Sequence, residues 1–199
     1  MAGDMNWRKV VATSALALLL SGCDLLPRTH PETYEVPTSN HTIQELCDAT
    51  KQFFTIRAGT DNLKISPGAG GKALTDEIGG GNGCFYEKAD GSAWRHLGLV
   101  SLFRIIVSGN TLSEPPSTTG NYPAEFLTVN GVTVKVVTEP LPKGANPATT
   151  LLEIELTASI DGWEGALHFY GTRDRTTPDD QPTREGAHAL VNMIRTLKG

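Results

Sequence analysis

The sequence predicts an α+β fold in which one face of an antiparallel sheet of about six strands is covered by an N-terminal and a C-terminal helix. Three observations predict it. Apolar and polar residues alternate strictly from Leu152 to Ile160, Asn-Gly or Asp-Gly pairs separate three sets of apolar segments, and an amphipathic segment lies at each end of this region. Because a sheet with one apolar face needs a cover, two helices on that face give a two-layer sandwich.

The first helix is predicted from Thr42 to Phe54. Thr42 followed by Glu45 is typical of a capping box, in which the Thr hydroxyl accepts from the third helical amide and the Glu carboxylate accepts from the amide of the cap. Six residues lie on one stripe of this helix and predict the face that packs on the sheet: Ile43, Leu46, Cys47, Thr50, Phe53 and Phe54.

Three hairpins are predicted after Cys84. The Asn-Gly and Asp-Gly pairs have the chemistry of two-residue turns, because both central positions of such a turn need a positive φ. The turns are expected at 90–91, 130–131 and 161–162. The strands that they join are expected at 84–88 with about 94 or 97 to 107, at 126–129 with 132–137, and at 152–160 with 163–170.

The glycine-dense stretch from Arg57 to Gly83 is expected to be a loop around a short helix near residues 72–78. Its run from Gly68 to Lys72 has the glycines and the lysine of a phosphate-binding loop. The pattern fails, because Ala73 follows the lysine where a Ser or Thr must meet the magnesium ion. We therefore do not expect nucleotide binding here.

A second amphipathic helix is predicted at the C-terminal end of the chain. Thr183 is its predicted cap. Its apolar residues lie on one stripe, which is expected to complete the cover of the sheet: Ala187, Leu190, Val191, Ile194 and Leu197.

Composition narrows the class of protein. The chain has 199 residues, with 17 Lys and Arg against 22 Asp and Glu and a formal net charge of −5. This length suits one domain rather than two well-filled cores. The acidic balance, with no basic run, argues against a nucleic-acid partner, because neutralising phosphates needs clustered Lys and Arg.

The N-terminal segment has the three parts of an export signal. Arg8 and Lys9 form a positive region, residues 10–20 carry no charge, and small residues follow. The apolar part is too short to span a bilayer, which takes roughly 20 apolar residues. Met1 and Met5 are alternative starts that leave the same mature chain.

A cysteine follows this segment directly, in the run Leu20, Ser21, Gly22 and Cys23. The run resembles the lipobox of bacterial prolipoproteins at all four positions. The resemblance implies that residues 1–22 are a signal peptide and that Cys23 is the lipid attachment site. It also implies that acyl chains such as palmitate hold the protein at the outer, extracytoplasmic face of the cell membrane. Two or three such chains anchor a protein stably, at about 0.8 kcal/mol per buried methylene.

Residues 23–41 are expected to form the lipidated cysteine and an extended tether, and residues 42–199 a single domain. Pro27, Pro31 and Pro37 lie among polar residues with no apolar period. At about 3.1 Å per residue, such a tether would hold the domain up to roughly 50 Å from the bilayer.

Once Cys23 is acylated, Cys47 and Cys84 are left as one pair in an exported chain, which is where disulfides form and persist. A bridge between them would close a loop of about 38 residues and stabilise the fold by about 4 kcal/mol at most. Two other states stay open for these residues: free buried thiols and a reactive cysteine nucleophile.

No catalytic, metal-binding or cofactor motif is recognised. None of the histidines has zinc spacing to another histidine or to a cysteine; they are His30, His41, His96, His168 and His188. His168 alternates onto the polar side of its strand and is expected to be a solvated surface residue. The carboxylate pairs Asp179-Asp180 and Glu153/Glu155 are expected to be solubilising charge rather than a general acid and base.

The layout as a whole is similar to that of small actinobacterial, mycobacterial-type lipoproteins of unknown function. The shared features are the lipobox, a Pro-rich tether, a Cys in the first helix, the run Gly83, Cys84 and Phe85, hairpins and a closing helix. Several such families resemble the PsbP-like fold, which the resemblance implies for this chain too.

Three classes of function agree with these observations. The first is a membrane-anchored binding or interaction module for an envelope protein, glycan or lipid, and phage-type exclusion or immunity lipoproteins use the same anchor. The second is a carrier of a lipid or other apolar ligand, which needs a cavity between sheet and helices. The third is a hydrolase with dispersed catalytic residues, which needs a cleft that gathers perturbed acids.

Overall fold

A computed structural model describes residues 39–68, 73–79, 82–90, 96–104, 107–108, 111–112, 122–172 and 181–198. These residues belong to one compact unit, Val36–Gly199. They form two helices, α1 (Ile43–Ala58) and α2 (Gln181–Leu197). Their strands are β1 (Leu63–Gly68), β2 (Asn82–Lys88), β3 (His96–Arg104), β4 (Val107–Ser108), β5 (Thr111–Leu112), β6 (Ala124–Val129), β7 (Val132–Thr138), β8 (Leu151–Ile160) and β9 (Trp163–Thr172).

Seven of these strands form one antiparallel sheet in the order β1-β2-β3-β9-β8-β7-β6, and β4 pairs separately with β5. All six predicted strands are present in the large sheet. The predicted α+β fold, an antiparallel sheet with an N-terminal and a C-terminal helix, is therefore confirmed. β1 is an additional edge strand, in the segment that was expected to be a loop.

Two of the predicted hairpin turns are confirmed with the expected backbone. Asn130 and Gly131 have φ values of 50° and 80°, and Asp161 and Gly162 have φ values of 51° and 80°. The hairpin at Asp161-Gly162 is paired in register from Ile160↔Trp163 to Leu151↔Thr172. The remaining predicted turn, at 90–91, begins at Asp90, and residues 91–95 lie outside the described part of the chain.

The start of α1 agrees with the prediction, and its end lies four residues later. The hydroxyl of Thr42 accepts from the Glu45 amide at 3.3 Å, and the Glu45 carboxylate accepts from the Thr42 amide at 2.7 Å. The helix ends at Ala58 because the next residue, Gly59, supplies the left-handed C-terminal cap, with φ 67°. The predicted stripe is the buried face of α1.

The cap predicted for α2 is wrong. The helix begins at Gln181, and Thr183 lies inside its first turn with 2% of its surface exposed. The spacing explains the error, because Thr183, Ala187 and Leu190 recur three or four residues apart and so share the buried face of the helix. A Thr on this face is part of the packing surface.

The short helix predicted near residues 72–78 is also wrong. The described part of this segment, residues 73–79, is a turn closed by the Asp76 amide on the Ala73 carbonyl at 3.0 Å. Glu77 then forms an isolated antiparallel bridge with Thr42. Ile78 is fully buried, and the Asp76 carbonyl accepts from the Ile43 amide at 2.9 Å. The segment therefore packs in an extended conformation beside the start of α1.

Both helices pack on the same face of the sheet, which we call the covered face. The Phe54 ring stacks on Tyr86 of β2 with centroids 4.0 Å apart, and Phe53 packs edge-on against Phe169 of β9 at 5.3 Å. On the α2 side, a Cβ atom at Gly165 would lie only 2.8 Å from Ile194. The helices are therefore in direct contact with the strands at these points.

The predicted disulfide is confirmed. Cys47 of α1 is bonded to Cys84 of β2 across a Cα–Cα distance of 5.5 Å, and both residues are fully buried. Neither residue is therefore a free thiol or a nucleophile. Beside the bridge, the Tyr86 hydroxyl donates to the Cys47 carbonyl at 2.5 Å and lies 2.8 Å from the Thr50 hydroxyl. Burial raises the pKa of Tyr86 well above its usual value.

The described chain begins with a residue that is tied to its C-terminal end. Ser39 is fully buried, and its hydroxyl donates to the Leu197 carbonyl of α2 at 2.7 Å. Its amide donates to the Ile78 carbonyl at 2.7 Å. The polypeptide therefore enters the domain beside the last turn of α2.

Candidate functional site

The second face of the sheet, on which neither helix packs, is the candidate site, and we call it the open face. Residues directly opposite each other in antiparallel strands share a face. The pairing register therefore places one row of side chains across all seven strands of this face: Ser66, Phe85, Leu99, His168, Glu155, Val137 and Ala124.

Ionisable groups lie at the centre of this row and form what we call the His168 cluster, made of His168, Glu153 and Glu155. The Nδ1 atom of His168 lies 3.2 Å from Oε1 of Glu153. Glu155 is the register partner of His168. Only 7% of His168 and 5% of Glu155 is exposed. Because burying ionisable groups is costly unless they are paired, this arrangement is a specific feature of the face.

The expectation that His168 and Glu155 are solvated surface residues is therefore wrong. Alternation correctly placed both side chains on the polar face of their strands, but it carries no information about exposure. β8 and β9 lie in the middle of the seven-stranded sheet, with strands paired on both sides. A side chain on a central strand has side chains of the two adjacent strands beside it, and these reduce its exposure to water.

Tyr170 extends the site toward one end of β9. It is the register partner of Glu153 and is 40% exposed. Partial burial and the nearby charges of Glu153 and Glu139 raise the pKa of its hydroxyl. Arg57 of α1 fixes the backbone here, because its Nη2 donates to the Tyr170 carbonyl at 2.5 Å. The same guanidinium lies 5.3 Å from the centre of the Phe169 ring.

Exposed aromatic side chains lie on both sides of the His168 cluster. Phe85 on β2 is 38% exposed, and Phe126 on β6 is 66% exposed. Both face the open side by register. Rings of this kind bind apolar surfaces, while the carboxylate of Glu153, whose side chain is 28% exposed, supplies hydrogen-bond acceptors. The open face therefore combines apolar contact area with a fixed polar centre.

Two other histidines of the described residues pair with carboxylates outside the His168 cluster. His41 pairs with Glu45 at 3.3 Å at the start of α1, and His96 pairs with Glu87 at 3.3 Å. His188 lies exposed on α2, and His30 and the pair Asp179-Asp180 lie outside the described residues. Within the described ranges, no three His, Cys, Asp or Glu side chains are placed to hold a metal ion.

The predicted lipid attachment residue, Cys23, and the predicted lipobox residues lie outside the described part of the chain. The described helices include none that is both long enough and apolar enough to cross a membrane.

Comparison with protein-family models, with curated proteins and with solved structures gives no match to this chain. The predicted similarity to actinobacterial lipoproteins and to the PsbP-like fold therefore stays a prediction.

Proposed function

We propose that the protein is a lipid-anchored extracytoplasmic lipoprotein whose domain is a binding module, with the open face as its binding surface. One observation carries the choice of surface. Both helices pack on the covered face, and the opposite face holds the buried His168, bonded to the half-buried Glu153, between exposed aromatic side chains. Proteins bind ligands through such combinations of apolar area and a few fixed polar groups.

The anchor is proposed from the lipobox residues Leu20, Ser21, Gly22 and Cys23 and from the resemblance that they carry. The bridge between Cys47 and Cys84 supports export, because disulfides persist in oxidising compartments and are rare in the cytosol. Acylation of Cys23 would hold the domain at the outer face of the cell membrane.

The described chain enters the domain far from Tyr170. Ser39 is bonded to Leu197 at the end of α2, where Lys198 pairs with Asp161 in the β8–β9 turn. Tyr170 lies seven residues along β9 from Trp163, a distance of roughly 23 Å at the rise of a strand. The described chain therefore begins at the end of the sheet remote from Tyr170, so its entry point and the Tyr170 end of the open face are separate.

Close packing between the layers favours a surface site over an internal lipid cavity. A Cβ atom at Gly165 would lie 2.8 Å from Ile194, and one at Gly186 would lie 2.9 Å from Leu156. The stacked Phe54 and Tyr86 rings fill the corresponding space under α1. A carrier needs space between sheet and helices, and α1 and α2 are in van der Waals contact with the strands at each of these points.

The chemistry of the open face suits a partner rich in hydrogen-bond donors, such as a glycan with its hydroxyls or a protein segment with amines. Glu153 and Glu139 supply acceptors close to Tyr170. Phe85 and Tyr170 supply rings that stack on apolar groups. An envelope glycan or protein is therefore the partner we expect.

Affinity capture from a host envelope extract tests this proposal. The full chain, immobilised in detergent, is expected to retain a specific partner, and the double variant Phe85→Ala/Tyr170→Ala is expected to lose it. Ile56→Ala is the matched control, because Ile56 is 62% exposed on α1, away from the open face. Failure to capture any partner, or an equal loss with Ile56→Ala, would contradict the proposal.

A further inference from the structure

The outer edge of β6 is a second feature of the sheet, and the proposed function makes no use of its backbone amides and carbonyls. β6 (Ala124–Val129) pairs with β7 on one side, and no described strand pairs with its other side. An edge strand presents a row of unpaired amides and carbonyls that another strand can join. The composition and backbone of β6 decide which kind of strand fits.

The two-residue turn fixes which backbone groups of β6 point outward. Val129 and Val132 flank the turn, and in such a turn the backbone groups of the flanking residues bond each other. The backbone groups of successive residues point to opposite sides of a strand, so the amides and carbonyls of residues 127 and 125 also point toward β7. The amides and carbonyls of Ala124, Phe126 and Thr128 therefore point outward.

The opposite edge of the sheet is protected in a way that the β6 edge is not. β1 contains Pro67, which has no amide to donate, and Lys64 near its start. Proline and lysine are residues that natural sheets use to block edge pairing. The outward residues of β6 include neither, and Phe126 among them is 66% exposed.

We propose that β6 is a self-association edge: a second copy of this chain adds its own β6 antiparallel to the first, with Phe126 on the twofold axis. A twofold axis perpendicular to the sheet gives both copies of β6 the same open face. A residue whose side chain faces the open side therefore lies opposite a residue of the second copy that also faces the open side. Phe126 then lies opposite Phe126 of the second copy, and Ala124 lies opposite Thr128. All three outward residues of each copy become hydrogen-bonded.

The single charge of β6 permits this register. Glu125, the one charged residue of β6, lies opposite Leu127 of the second copy, so the two Glu125 side chains are diagonal neighbours and are not directly opposite each other. Two exposed Phe126 rings come together, and aromatic cross-strand pairs stabilise antiparallel sheets. Centring the pair on Ala124 or Thr128 instead would move it off the end of the strand and reduce the number of bonded residues.

Sedimentation equilibrium of the full chain in detergent tests the proposal. The wild type is expected to show a concentration-dependent dimer. Phe126→Lys places two ammonium groups across the axis and is expected to raise the dimer dissociation constant about tenfold or more, a change of about 1.4 kcal/mol. Phe85→Lys is the control, because it makes the same change on the open face of β2.

A second variant tests the backbone bonds. Phe126→Pro removes an outward amide and leaves the amides of 125 and 127, which face β7, in place. Edge strands tolerate proline at such positions, so circular dichroism is expected to report a folded chain that no longer dimerises. A monomeric wild type at every concentration up to the millimolar range would overturn the proposal. So would a dimer that Phe126→Lys leaves intact, or one that Phe85→Lys weakens equally.

Discussion

Gly98 of β3 lies so close to His168 of β9 that a Cβ atom at position 98 would be 2.0 Å from the His168 carbonyl oxygen. The same atom would lie 2.8 Å from the Phe54 ring. Gly98 has φ +153°, at the limit of what other residues adopt. This close contact joins the two strands at the point where β9 carries the His168 cluster.

Gly98→Ala is expected to destabilise the fold by about 3 kcal/mol or more, because the clash is with backbone and cannot be relieved by a rotamer change. Gly144→Ala is the matched control. Gly144 also has a positive φ, of +81°, but it faces open space, so the expected cost is about 1 kcal/mol. Urea unfolding followed by circular dichroism measures both, and similar costs for the two variants would contradict the packing described for Gly98.

Replacing both bridge residues, in Cys47→Ala/Cys84→Ala, is expected to lower the free energy of unfolding by about 2 to 4 kcal/mol. The bridge closes a loop between residues 37 apart and joins α1 to the sheet, so its loss raises the conformational entropy of the unfolded chain. Cys23→Ala is expected to leave the free energy of unfolding unchanged, because Cys23 precedes the folded domain. Equal unfolding curves for the double variant and the wild type would be the contradictory result.

Tyr86→Phe is expected to cost about 1 to 3 kcal/mol, because it removes the hydroxyl that bonds the Cys47 carbonyl and the Thr50 hydroxyl in a buried site. Tyr122→Phe makes the same change at a residue that is 39% exposed and is expected to cost less than about 0.5 kcal/mol.

The same residue also predicts an alkaline limit to stability. Burial raises the folded pKa of Tyr86 above its ordinary value of 10.0, so the folded state holds the phenol proton more tightly than the unfolded state does. The stability that this contributes is fully present below pH 10 and is lost as the pH rises further. Melting temperatures of Tyr86→Phe are expected to fall less steeply above pH 10 than those of the wild type. Parallel curves would refute this cause.

Glu45 predicts an acid dependence of opposite sign. The hydrogen bond from the Thr42 amide, assisted by His41, holds the pKa of Glu45 below its ordinary value of 4.5. The capping box therefore contributes stability above pH 4.5 and loses it as the pH falls through the lower, folded pKa. Glu45→Gln is expected to reduce the change in melting temperature over this range. Glu125→Gln, at an exposed residue of β6, is the control and is expected to leave it unchanged.

The parts of the fold that the sequence predicted are those set by neighbouring residues. The turns at Asn130-Gly131 and Asp161-Gly162 need positive φ at adjacent positions, and the capping box needs only Thr42 and Glu45. The bridge, between residues 37 apart, was predicted by counting cysteines instead, because the expected lipidation of Cys23 leaves a single possible partner for Cys47. None of these depends on where a segment lies in the sheet.

The parts that were missed depend on distant contacts. β1 holds Pro67 and ends in glycine, which argue against a strand, and it is a strand because β2 lies beside it. Leu63 and Ile65, alternating with polar residues, were the weak signal that was present. Likewise, the burial of Glu155 and His168 follows from the central position of β8 and β9, which alternation along a single strand does not contain.

The central claim is that the domain is held at the membrane by acyl chains on Cys23, and metabolic labelling with an alkyne fatty acid tests it most directly. The wild type is expected to be labelled and to fractionate with the membrane. Cys23→Ala is expected to lose the label, while Cys47→Ala/Cys84→Ala is expected to keep it. Continued labelling of Cys23→Ala, or an unlabelled wild type, would contradict the lipid anchor.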